Sequence, residues 1–412
     1  MGICSKFRDE PENPTKRPEL STRWLMLILL CSTLFASYWI YDNPAAIQNN
    51  LADYFNNGDA NVDDDGTNTD TTSFSFKFNL LYSVYSWPNV ILPFFGGYLS
   101  DKLGVRLMGV VFILLITLGQ AIFAIGLTLP FIMNIPTSSN IPWYVMWVGR
   151  TVFGFGGESL SVAQSAMISS WFSGRELAFG QAANLAIARI GSVINDTVSV
   201  QIATNFPIYW ALWAGFILCI ISSMTGIATY YVDEKSEDRL RANLGYRKIQ
   251  RPGLFTQLFC CSFWRRKCGR YNNVDGEESE QMLNHDNEQG AIDEPPKEEI
   301  HLSAARKFPL IFWVLCLSCV TVYIAVLPFN GIASGFIAQK WLANGKPVSQ
   351  IPDDQKNNIF ITANSIMLTT YLVAGCIAPV MGAAIDRLGY RAILNCVASL
   401  SIVVSNNDNI NK

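Results

Sequence analysis

Between Trp143 and Val200 the chain reads WYVMWVGRTVFGFGGESLSVAQSAMISSWFSGRELAFGQAANLAIARIGSVINDTVSV. Two apolar runs, Trp143–Phe172 and Leu177–Val200, flank the polar turn Ser173-Gly174-Arg175-Glu176. At about 1.5 Å per residue, each run as a helix is long enough to cross a hydrocarbon core of about 30 Å. Each run carries two charges, Arg150 and Glu158 in the first and Arg189 and Asp196 in the second. Glu158 stands about 15 residues before Ser173, and Arg189 about as far after it. An antiparallel helical hairpin therefore sets the two at one depth, roughly 20 Å from the turn. The same reflection pairs Arg150 with Asp196 nearer the other surface. A lone charge at mid-bilayer costs at least about 2.5–3.5 kcal/mol on insertion scales, so such residues pair or line a wet cavity. Two readings stay open for each pair: a polar site at mid-depth, or an ion pair that ties two helices together. Either one makes this a membrane protein.

Composition agrees. Half of the 412 residues are hydrophobic and only 15% are charged, which excludes an ordinary soluble domain. The net charge of -3, with no basic aromatic-interleaved face outside one polar loop, gives no footing for nucleic acid. Cys31, Cys219, Cys316, Cys319, Cys376 and Cys396 fall inside apolar segments, and Cys4, Cys260, Cys261 and Cys268 in polar segments read as cytosolic. No disulfide is expected from that placement. Cys316-x-x-Cys319 has a metal-like spacing but no partner pair, so no metal or cofactor is expected. Both histidines, His285 and His301, lie in the long polar loop, which excludes a histidine proton relay in the membrane. No nucleophile–base pair or phosphate-cradling loop suggests an enzyme.

Outward from the hairpin, residues 1–22 read as a disordered cytosolic tail, followed by the first span, Trp24–Tyr41. Asp53–Asp70 reads as a solvated loop. The second span is Phe78–Leu99, bent at Pro88 and Pro93, and the third is Leu107–Ile132. After the hairpin comes Ile208–Val232, closing a six-helix bundle over residues 23–232. Residues 233–307 read as a cytosolic, largely disordered linker. A second bundle starts over 308–405, with a seventh span in Phe308–Ala338, an eighth in Ile359–Ile385 and part of a ninth; residues 406–412 are a polar end. Lys6, Arg8, Lys16, Arg17, Arg23, Lys102, Arg106, Arg175, Arg387 and Arg391 all fall on one side, which sets the N-terminus and the linker in the cytosol.

A repeat supports the two-bundle reading. Gly97-Tyr-Leu-Ser-Asp101-Lys102-Leu-Gly104-Val-Arg106 recurs as Gly382-Ala-Ala-Ile-Asp386-Arg387-Leu-Gly389-Tyr-Arg391, six helices later. The small Gly admits a neighbouring helix, the Asp suits a helix N-terminus, and the Arg closes a latch of charges. Both copies resemble the cytosolic loop signature of the major facilitator superfamily, and Arg150-x-x-x-Gly154-x-Gly156 resembles its fourth-helix motif. The resemblance implies an all-α membrane fold of two pseudo-repeated six-helix bundles. On that fold of twelve helices, this chain reads as truncated after about eight to nine.

Within the superfamily, Phe155-Gly156-Gly157-Glu158-Ser159, Ser170-Trp171-Phe172-Ser173-Gly174-Arg175-Glu176 and Ala188-Arg189-Ile190-Gly191-Ser192 resemble the domain-containing protein 1 family of lysosomal dipeptide carriers. Tyr323-Ile-Ala-Val-Leu-Pro328-Phe is similar too. The resemblance implies that Glu158 and Arg189 help to coordinate substrate, that transport is uniport, and that a single-span glycosylated lysosomal membrane protein is an accessory subunit. It places the chain in the lysosomal membrane, with the plasma membrane as the alternative. Tyr38, Tyr85 and Gln164 join as cavity residues by type, against a plain reading as helix packing. Two rival functions remain. A proton-coupled symporter would titrate Glu158 or Asp42, and a non-transporting scaffold would bind a partner protein without substrate. In the linker, Cys260-Cys261-Ser-Phe-Trp-Arg-Arg-Lys-Cys268 reads as a basic, acylated membrane-surface segment or a solvated loop.

Overall fold

The computed structural model of the chain describes residues 20–56, 69–89, 92–134, 136, 139–172, 176–243, 254, 309–318, 320–321, 337, 340 and 353–388. The regular structure among them is helical. In chain order the helices are α1 (Leu20–Ala46), α2 (Gln48–Asn56), α3 (Thr69–Asn89), α4 (Leu92–Leu103), α5 (Val105–Met133), α6 (Ile141–Trp171), α7 (Leu177–Asn205), α8 (Tyr209–Asn243) and α9 (Asp353–Leu388). Residues 310–318 are helical as well. Four segments, Ser21–Ala46, Val105–Met133, Leu177–Asn205 and Tyr209–Leu240, are both long and apolar enough to cross a membrane. α6 has the length, but it carries Arg150 and Glu158 among many Gly and Ser residues.

Boundaries of the described helices differ from the sequence reading for local reasons. Within the expected span Phe78–Leu99 the described helices are α3, to Asn89, and α4, from Leu92; residues 90 and 91 lie outside the described residues. Pro88 and Pro93 remove two backbone donors, and Pro93 is tolerated because it falls in the first turn of α4. The expected loop from Asp53 begins inside α2, where Leu51 and Phe55, with Ile47 just before the helix, recur every four residues and are all buried. Phe55 packs on Trp143 with ring centroids 4.6 Å apart. Lastly, α8 does not stop at Val232 but runs to Asn243, into the segment read as linker.

The described helices fall into two compact units. The first comprises Met1–Thr33, Leu51–Trp171 and Leu212–Glu299; the second comprises Leu34–Asn50, Phe172–Ala211 and Ile300–Lys412. The first unit is built on a tight crossing of α5 and α6. A Cβ on Gly149 would lie 2.6 Å from the Phe123 backbone nitrogen, and one on Gly156 would lie 2.5 Å from the Phe112 carbonyl oxygen. Glycines seven residues apart share a helix face and let the two backbones meet. α8 is tied to α5 by hydrogen bonds: the Gln120 amide donates to the Leu212 carbonyl at 3.0 Å, Trp213 donates to Thr128 at 3.1 Å, and the Thr117 and Ser223 hydroxyls meet at 2.7 Å. Such bonds replace water in an apolar surrounding. Gly104, between α4 and α5, has φ 98° and ψ 131°, a backbone that only glycine adopts without strain.

In the second unit α9 lies along α7. Gly382 sits where a Cβ would be 2.7 Å from both the Ala178 carbonyl oxygen and the Ala182 methyl, and Gly375, seven residues earlier, faces the Ala186 carbonyl at 3.5 Å. Ala178, Ala182 and Ala186 form an i, i+4, i+8 strip of small residues, which is what a close helix pair in a membrane requires. The buried Asn43 of α1 donates to the Ser199 hydroxyl at 3.1 Å and to the Ala211 carbonyl at 3.3 Å, and Ser199 donates to the Asn195 side chain at 2.7 Å.

Candidate functional site

In the first unit α6 presents Arg150, Gly154, Gly157 and Glu158 on one face, spaced by four, three and one residues. Tyr85 of α3 lies across that face. Its backbone carbonyl would be 2.8 Å from a Cβ on Gly154, and its hydroxyl 2.8 Å from a Cβ on Gly157. Gly154 thus admits the Tyr85 backbone, and Gly157 the tip of its ring. From there the Tyr85 hydroxyl donates to the Glu158 carboxylate at 3.1 Å. Glu158 is exposed, while Tyr85 is buried. Arg150 is 1% exposed, and its guanidinium lies over four aromatic rings: Tyr82 and Phe153 at 5.2 Å, Phe123 at 5.6 Å and Tyr85 at 5.8 Å. Cation–π attraction at these distances offsets part of the cost of burying the charge.

Gln164 lies two turns further along α6 and does different work. It is buried, and its amide donates to the Leu30 carbonyl at 3.2 Å and to the Thr33 hydroxyl, tying α6 to α1. It lines a cavity of about 20 Å³ together with Thr33, Arg106, Gly109, Ile113 and Met167. Gln164 thus ties α6 to α1 in this structure.

Arg106 opens α5 and forms a clasp with the extended end of α8. Its Nε donates to Asp233 at 2.5 Å and its Nη2 to Glu237 at 2.6 Å, while Trp171 donates to the other Asp233 oxygen at 2.7 Å. Tyr230 lies beneath the guanidinium at 5.8 Å. Beside the clasp Leu254 is 4% exposed and packs on Leu107, Val110, Tyr230 and Ile227. Gly97 is in α4; among the described residues no atom lies within 4 Å of where its Cβ would be. The Asp101 side chain lies outside the described residues.

In the second unit the Arg189 guanidinium of α7 lies over the Tyr38 ring at 5.6 Å. Asp196, two turns on, accepts from the Asn195 amide at 3.2 Å, which joins it to the Ser199 and Asn43 chain. Asp386, 7% exposed, accepts from the backbone N–H groups of Ala178 at 3.1 Å and Phe179 at 2.8 Å. These are among the orphan donors at the start of α7, where the helix dipole favours an anion. Arg391 lies outside the described residues, as do the cysteines of the Cys260–Cys268 segment.

The structure therefore joins Tyr85 to Glu158 and to Arg150, and Tyr38 to Arg189. The pairs read from the hairpin spacing, Glu158 with Arg189 and Arg150 with Asp196, each have one member in either unit. Sequence reasoning missed Asp233 and Glu237, which lie in the segment read as linker. Their i, i+4 spacing directly after an apolar helix was the available signal. It also missed the aromatic cage of Arg150, whose members come from three separate helices. Among the described residues no three His, Cys, Asp or Glu side chains gather as a metal site.

The profile of the Major Facilitator Superfamily matches residues 25–405. The chain is 30% identical to the Homo sapiens protein named lysosomal dipeptide transporter MFSD1 over 397 residues, 94% of this chain and 66% of that protein. Against the Mus musculus protein of that name the identity is 30% over 94% of this chain and 66% of the relative, and against the Danio rerio one 29% over 98% and 73%. The chain thus spans just under two thirds of the human and mouse relatives. The profile match reaches residue 405, and so it lends no support to the truncation expected within that fold. On this match the chain is a multi-pass membrane protein and belongs to the Major Facilitator Superfamily, a family of transport proteins and not of enzymes.

Proposed function

We propose that the chain handles the substrate of a lysosomal-membrane dipeptide transporter that works by alternating access as a uniporter. The observation that carries this reading is Glu158 itself: an exposed carboxylate, the one acidic residue of α6, oriented by a tyrosine hydroxyl at 3.1 Å. A carboxylate kept at membrane depth and left open on one side suits a cationic group on a small solute. A dipeptide supplies an ammonium at one end and a carboxylate at the other. Glu158 takes the ammonium, and the planar fork of Arg189 takes the carboxylate. The hairpin expected from their spacing, in which the two would share one depth, supports the pairing, as does the resemblance of both motifs to the dipeptide-carrier family.

Reading only the two termini leaves the side chains free, so many dipeptides compete for one site. The test is uptake of a labelled dipeptide into proteoliposomes holding the purified chain. Glu158→Gln and Arg189→Ala each abolish uptake while the protein remains monodisperse in detergent. Uptake that survives either change overturns the assignment. A pH gradient that drives accumulation above the outside concentration would replace uniport with proton coupling. Accessory-subunit binding with no dipeptide flux would favour the scaffold reading.

A further inference from the structure

The aromatic cage around Arg150 raises a question that packing does not answer. A fully buried guanidinium on a membrane helix is costly, and a Leu or Met would fill the same space. The geometry supplies what those residues would not. The charge of Arg150 lies over the face of Tyr85, whose hydroxyl holds Glu158; the Tyr85 backbone lies against Gly154, and the ring lies against Gly157 at its tip and against Phe153 at a centroid distance of 5.3 Å. A cation over a phenol ring draws electron density from the oxygen, which makes its O–H a stronger donor. A donor facing an ionised acceptor gains most from that change.

We infer that Arg150 is a positioning residue that acts on Glu158 through Tyr85. Its charge keeps the ring tip against Gly157 and strengthens the bond from the Tyr85 hydroxyl to the Glu158 carboxylate. Arg150 never touches the solute; it sets how firmly and at what angle Glu158 is offered. The inference deepens the functional reading above and rests on it only for the transport measurement.

The first measurement needs no substrate. The purified full chain in detergent is treated with dicyclohexylcarbodiimide, to which a carboxyl group in apolar surroundings adds, its oxygen bonding the central carbon and its proton passing to nitrogen; a donor that stabilises the carboxylate slows this addition. Modification of Glu158 is followed by mass spectrometry at one fixed pH, with Glu158→Gln as the blank. Tyr85→Phe raises the rate about tenfold, the loss expected for a hydrogen bond to a charged group. Arg150→Gln and Arg150→Met, two neutral variants of similar bulk, raise it comparably, and Arg150→Lys stays within about twofold of the parent because the charge is kept. Tyr85→Phe combined with either neutral variant labels no faster than Tyr85→Phe alone, since both act on one bond.

Rates that multiply in the double variant, or neutral Arg150 variants that label like the parent, overturn the inference. In proteoliposomes the neutral variants raise the dipeptide KM about tenfold with Vmax little changed, and Arg150→Lys restores it. A parent chain that moves no dipeptide defeats the functional reading, while the labelling cycle still decides the role of Arg150.

Discussion

Glu158 is positioned by what its neighbour lacks. Gly157 has no Cβ, and the Tyr85 hydroxyl fills the place where one would be, 2.8 Å away. Gly157→Ala therefore pushes a ring that has little room to move, because Arg150 and Phe153 flank it. Overpacking of this kind costs typically about 1–3 kcal/mol, and here it also separates the hydroxyl from the carboxylate. The expected outcome is a lower melting temperature together with a rise in Glu158 labelling like that of Tyr85→Phe. Gly154→Ala meets backbone rather than a side-chain tip, the Tyr85 carbonyl at 2.8 Å, so it destabilises more. Thermal unfolding followed by tryptophan fluorescence checks both. Equal melting temperatures for parent and Gly154→Ala would mean that α3 is free to slide away from α6.

Among the elements, the duplicated loop motif gives the clearest contrast. Its two copies are alike in sequence but differ in surroundings: Gly382 is pressed against α7, whereas Gly97 has open space among the described residues. Gly97→Ala is accordingly neutral or stabilising by about 0.5–1 kcal/mol, since alanine is the better helix former. Gly382→Ala drives a methyl to 2.7 Å from the Ala178 carbonyl and pries α9 from α7, at a cost of about 1–3 kcal/mol. That displacement also moves Asp386 from the N–H groups of Ala178 and Phe179, so Gly382→Ala and Asp386→Ala weaken the same contact and their effects do not add. Melting temperatures of the two alanine variants at equivalent positions measure the contrast directly; matching shifts would show that sequence, and not packing, governs both copies.

At the scale of the whole chain, the long helices among the described residues were legible because apolar runs and basic loops alternate, and the family was legible because the loop motif occurs in two copies. Boundaries set by tertiary contact were not. Hydropathy ends at Val232, while α8 runs on because Arg106 holds Asp233 and Glu237, partners 127 and 131 residues away. α2 was hidden by its nine-residue length and by the acidic loop beside it. Glu158 and Arg189 stood out as charges on apolar runs, but nothing in their local sequence indicated that Tyr85 and Tyr38 would be their neighbours. Arg150 was visible as a charge, and its cage was not, since the rings come from α3, α5 and α6.

The same scale holds the sharpest test of what the chain recognises. If Glu158 reads the ammonium and Arg189 the carboxylate, each residue matters only to a substrate that still has the matching end. An N-acetylated dipeptide has no ammonium, and a dipeptide amide has no carboxylate. Each lost charged hydrogen bond is worth about 1.5–3 kcal/mol, so either block weakens inhibition of labelled-dipeptide uptake by the parent chain by roughly ten- to a hundredfold. The variants shift that pattern in opposite senses. In binding measured on detergent-solubilised protein, Glu158→Gln weakens the free dipeptide and its amide but leaves the acetylated compound as the parent binds it. Arg189→Ala weakens the free dipeptide and the acetylated compound but leaves the amide unchanged. Acetylation and the Glu158 change then remove one interaction between them, and their combined effect is less than the sum. Full additivity of the blocked ends with both variants would place the ammonium and the carboxylate elsewhere in the protein, and would return Glu158 and Arg189 to the role of charges that only hold helices together.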